Sequence, residues 1–189
     1  MKPLAMLLVA LFAMLGGGCA TPSVHPLYSD DAIVYEPALV GTWGQEHNDQ
    51  TYSITRVGKV YHLLVRDRDA QKQKQWEFEV RLVRLGDHRF ADVAAVEEER
   101  DAHEEHWGPL FVPTHMFARF AVSGDTLTVW TLRHEWLKER LERREVTLAH
   151  TRLSPGVILI TATTAELQEF MRTHSGNPLA FDKTELKRQ

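Results

Sequence analysis

The chain has 189 residues, with 22 basic and 26 acidic side chains, a net charge of −4 and a single cysteine. This mildly acidic balance gives no electrostatic reason to bind nucleic acid, and one cysteine excludes an internal disulfide framework. Past the apolar N-terminus, about 170 residues remain, enough for one domain with a sizeable core.

The chain opens Met1-Lys2 and then runs from Pro3 to Leu15 without a charge. That run is well short of the ~20 residues a helix needs to span a bilayer. It has the form of a secretion signal over residues 1–18, with a basic start, an apolar middle and small residues at its end. Those small residues are Gly16, Gly17 and Gly18, and they abut Cys19. The stretch "LGGGCA" resembles the lipobox of bacterial lipoproteins, although Gly16 stands where that family usually has Leu. The resemblance implies cleavage before Cys19, a diacylglyceryl group on its thiol and an acylated new N-terminus. Ala20, rather than Asp, follows the cysteine, which by the same resemblance implies an outer-membrane address with the body facing the periplasm. No free thiol would then remain, and loss of Lys2 would take the net charge to −5.

Residues 19–38 read as a tether and lead-in, because three prolines interrupt any periodic pattern. From Leu39 onward a single domain, 39–189, is expected. Residues 75–82, "QWEFEVRL", set Trp76, Phe78, Val80 and Leu82 on one face and charges on the other, the pattern of a half-buried strand. Further strands are predicted at 51–57, 60–67, 88–96, 116–123, 126–132 and 157–161. Gly58, Gly86 and Gly124 mark tight turns between neighbours. Short links join antiparallel strands, so the fold class is mainly β, an antiparallel meander closed or nearly closed into a barrel of seven to nine strands.

Two helices are predicted. One covers 134–145, with Leu137 and Leu141 as a narrow apolar stripe. The other follows a capping box at Thr163 to Glu166, carries Leu167, Phe170, Met171 and His174 on one face, and stops at Gly176 and Pro178. It is read as a C-terminal helix after the last strand.

"GTW" at 41–43 resembles the G-x-W signature on the first strand of lipocalins, where the Trp closes the barrel floor. That likeness implies an arginine stacked on Trp43, for which Arg152 is the candidate. The whole chain is also similar to a group of bacterial lipoproteins with a lipocalin-like body. Cys19, "PLY" at 26–28, "GTW" at 41–43 and "TAELQEF" at 164–170 carry the similarity. It implies a fold and an address, and no particular activity.

Candidate sites are few. Segment 97–115 holds six acidic residues and three histidines. His103 and His106 share a face if helical, and with His115 they would suit zinc. However, "HEEH" is one residue short of the H-E-x-x-H spacing of metalloproteases. Asp92 and Arg119 alternate with apolar neighbours and are candidates for an ion pair across the barrel, for outward-facing charges, or for orienting a ligand. Trp43 and Tyr61, among the strand aromatics, are read as core or as lining for an apolar cavity. No nucleophile elbow, phosphate loop or S-x-x-K motif is present. The function expected is non-catalytic binding of a small hydrophobic ligand or an envelope partner. The alternatives are a metal-dependent hydrolase built on 97–115 and a purely structural envelope subunit.

Overall fold

The computed structural model describes residues 21–46, 48–67, 75–96, 113–154 and 156–189. Cys19, His103 and His106 lie outside the described residues. Eight antiparallel strands close into a barrel, and a two-stranded hairpin stands apart from it. In chain order the strands are β1 (Gly41–Gly44), β2 (Gln50–Val57), β3 (Val60–Asp67), β4 (Gln75–Leu85), β5 (His88–Ala95), β6 (His115–Ser123) and β7 (Thr126–Leu132). Helix α1 (His134–Glu142), the hairpin β8 (His150–Ser154) and β9 (Val157–Ile160), helix α2 (Thr164–His174) and β10 (Phe181–Arg188) follow.

β2 to β7 form the expected meander, each strand pairing with the next. The glycine turns at Gly58, Gly86 and Gly124 all have φ between 55° and 61°, a backbone region open to glycine at no steric cost. Because the strands alternate in direction, these three tight turns share one end of the barrel.

Three expectations are corrected. The helix α2 is not the last element: β10 follows it and closes the barrel, pairing with β7 on one side and β1 on the other. Residues 157–160 are not a barrel strand, because β9 pairs with β8 instead. Helix α1 ends at Glu142, three residues early, as Arg144 turns to a φ of 57°.

The wall separates two apolar cores. Trp43, Tyr52, Val65, Phe78, Leu82, Val93, Met116, Phe120, Leu127 and Leu186 fill the inside. Val83, Phe90, Phe117 and Phe181 face outward from alternate positions and meet Trp136, Leu137, Leu167, Phe170 and Met171 of the two helices. Helix α2 is placed by its sequence. Thr163 accepts from the Glu166 N–H while Glu166 accepts from the Thr163 N–H at 2.8 Å, the capping box read from the sequence.

Candidate functional site

The segment before β1 is built into the fold from Thr21 onward. Ser23 exchanges both backbone hydrogen bonds with His115, at 2.9 and 2.8 Å. On its other side the Val24 N–H donates to Ile160 and the Ile160 N–H to Pro22. Ser23 is thus a short strand between β6, antiparallel, and β9, parallel. The next residues turn at Pro26 and pass under α2. The Leu27 N–H donates to Asp92 Oδ2 at 2.6 Å, the Leu27 carbonyl accepts from Gln168 at 2.9 Å, and the Pro26 carbonyl accepts from Thr164 at 2.8 Å. Thr164 and Gln168 are four apart and share one helix face. The two stretches "PLY" and "TAELQ", far apart in sequence, therefore form one clamp, with the buried Leu27 side chain in the outer core.

Asp92 is the centre of that clamp. Its side chain is 1% exposed, and Oδ1 accepts from His115 Nδ1 at 2.7 Å. A carboxylate this deep must have its lone pairs matched, and a backbone N–H and an imidazole supply the donors. The edge of the Tyr28 ring faces His115, and Arg81 lies over the Tyr28 ring. Burial raises the Tyr28 phenol above its ordinary value, partly offset by Arg81.

Asp92 and Arg119 do not pair across the barrel, and the reading of outward-facing charges holds. Both residues point outward, since Ala91, Val93, Ala118 and Phe120 take the inward positions. Arg119 lies 4.0 Å over the Trp130 ring and donates to the Ser175 carbonyl at the end of α2. Burial lowers its pKa below the usual guanidinium value.

Trp43 and Tyr61 seal the barrel rather than line a cavity. The Trp43 indole N–H donates to the Leu39 carbonyl at 2.9 Å, holding the 3-10 turn Pro37–Leu39 across the tight-turn end. The cation stacked on Trp43, at 4.2 Å, is Arg188 of β10. Arg152 instead pairs with Glu142 on the surface, so the candidate drawn from the lipocalin likeness is replaced. Arg188 also donates to the Ala38 and Val40 carbonyls. Gly41 is required here. Its φ is +146°, and a Cβ there would run into the Arg188 guanidinium. The Tyr61 hydroxyl accepts from the Glu36 N–H at 2.9 Å, tying down the lead-in before that turn.

Among the described residues, a cavity of about 80 Å³ inside the barrel has a wholly apolar lining, contributed by Leu39, Ile54, Val80, Phe120, Leu127 and Leu186 among others. None of Trp43, Tyr61, Asp92 and Arg119 lines it. Ligand pockets commonly span roughly 300–1,000 Å³ and carry a few placed polar groups. The Tyr52 ring reaches the cavity, but its hydroxyl is committed to Gln50 at 2.8 Å, and burial pushes its pKa up to about 12.

Comparison with protein-family models, curated proteins and solved structures finds no match to this chain. Function must therefore be argued from these contacts. Among the described residues no group of three or more His, Cys, Asp or Glu is placed to hold a metal. Of the three histidines proposed as ligands, His115 alone is described, and its Nδ1 is taken by Asp92. The clamp leaves only a faint local trace in the sequence: polar Thr164 and Gln168, spaced to share a face beside Leu167.

Proposed function

We propose that the protein is an envelope lipoprotein of lipocalin-like type, anchored through acyl chains on Cys19 to the periplasmic face of the outer membrane. Its body is a non-catalytic docking module for an envelope partner. The observation supporting the second part is the small lumen cavity among the described residues: about 80 Å³ of apolar space is smaller than the ~150 Å³ cavity that admits benzene in an engineered case. Side chains filling the described interior favour the outer surface as the place of recognition. Stable anchoring fits the first part, since several acyl chains at about 0.8 kcal/mol per buried CH₂ hold where one chain is marginal.

Intact mass analysis of protein purified from its own membrane tests both parts. The expected spectrum carries an acyl mass on a chain beginning at Cys19 and no co-purifying small molecule. A stoichiometric apolar ligand would replace docking by ligand carriage. An unacylated chain retaining residues 1–18 would remove the anchor.

A further inference from the structure

We infer that the turn end of the β8–β9 hairpin, with Leu153 on β8 beside the turn, lies on the lipid leaflet beside the anchor. This rests on the proposal that Cys19 carries the lipid. Covalent geometry comes first. Thr21 is buried, and its hydroxyl lies 3.1 Å from His134 Nδ1 at the start of α1. Cys19 is two residues upstream, and a chain advances at most about 3.6 Å per residue. The Cys19 Cα is therefore confined to about 7 Å from the Thr21 Cα, with no length of free tether to hold the body off the membrane.

Register then names the element at that place. Ser23 pairs in parallel with Ile160, so following the N-terminal segment upstream means following β9 back toward its turn. Thr21 falls level with Ile158, and the hairpin turn lies further along the same line. This register sets the start of the described chain alongside β9, on the side of its turn.

The tip has the chemistry for a leaflet. The β8–β9 pairing shifts register between Arg152 and Ser154, a bulge that leaves Leu153 unpaired, and bulges re-aim a side chain. Leu153 is 61% exposed. Arg152 beside it is held by Glu142 in an exposed pair of the kind that contributes little, leaving its guanidinium available to a lipid phosphate. An aliphatic point flanked by a cation suits the headgroup boundary of a membrane.

The test uses the lipidated full chain, in which Cys19 is blocked, so that one introduced thiol is unique. Leu153→Cys and Thr55→Cys are labelled with an environment-sensitive fluorophore. Thr55 is exposed on β2, on the side of the barrel away from β6 and β7. Both proteins are reconstituted into phosphatidylethanolamine–phosphatidylglycerol vesicles carrying a headgroup-depth nitroxide lipid. The expected result is quenching at position 153 several-fold stronger than at position 55, with a blue-shifted emission. Equal quenching at both positions, or no quenching at 153, overturns the inference. So does protection of the 153 label in native membranes but not in protein-free vesicles, which would assign the tip to a protein partner. Intact mass and vesicle flotation of Cys19→Ser are read in parallel. An unacylated wild type, or flotation of Cys19→Ser equal to wild type, would fault the anchor itself and not the tip.

Discussion

Inside the barrel, Leu127, Leu186 and Phe120 meet other apolar side chains and leave about 80 Å³ unfilled. Outside it, Phe90 and Phe117 lie under two helices and a short strand whose positions are fixed by polar hooks: Asp92 on Leu27, Gln168 and Thr164 on the same tripeptide, Arg119 on Ser175. The inner core is held by burial, which is non-directional. Directed hydrogen bonds specify the outer layer and fix where each covering segment sits. In this chain the barrel is the support, and the residues with positional meaning decorate its wall.

Substitutions can separate the two regions. Leu186→Ala should cost about 3–4 kcal/mol in denaturant unfolding through lost burial plus a cavity, with hydrogen exchange accelerated across all barrel strands alike. Asp92→Ala should cost about 2–3 kcal/mol, since it strips a buried N–H and an imidazole of their charged acceptor. Its distinguishing mark is local: amides of Ser23 to Leu27 should lose protection well before those of β2 to β4. A uniform response to both variants would erase the distinction between the cores. Gly41→Ala should cost about 2 kcal/mol from strain at positive φ and should displace Arg188 from Trp43, seen as a change in near-ultraviolet circular dichroism.

Acid should act mainly on the outer layer. Burial depresses His134 and His174 below 6.5, so the unfolded chain takes up a proton more readily at these sites. Their contribution to stability is complete above about pH 6.5 and is lost as pH falls from there toward the folded values. Midpoint denaturant measured from pH 7.5 to 5 should fall, with a shallower slope in His134→Gln/His174→Gln. An unchanged slope would show that neither ring is buried neutral. The smallest effect is expected from Ala91→Val, which points a branched side chain at the lumen cavity and should shift stability by no more than about 1 kcal/mol in either direction. A larger loss would mean that the interior has no room to spare.

How much of this was legible from residues alone depended on whether the signal was local. Strand β4 shows because Trp76, Phe78, Val80 and Leu82 alternate with charges over a length no helix pattern fits. Helix α2 shows because its cap is written into four consecutive residues. β10 carries no such signal: "FDKTELKR" buries only Phe181, Thr184 and Leu186 among five charges, and its pairing partners β1 and β7 are distant in sequence. β8 is exposed along its whole length and carries no period. Alternation gave Asp92 a face but not which face was inward, since both sides of β5 are covered. The cation on Trp43 is not legible locally either, since stacking there depends on Arg188 of the closing strand β10, which is brought beside β1 only when the barrel closes.

Hydrogen exchange at the Leu27 amide is the most direct test of the claim that the N-terminal segment belongs to the fold and fixes where any anchor must lie. Bonded to Asp92 and buried under α2, it should exchange as slowly as the amides of β6. Exchange at the rate of an unstructured peptide would contradict the clamp, and with it the placement of the hairpin tip beside the membrane.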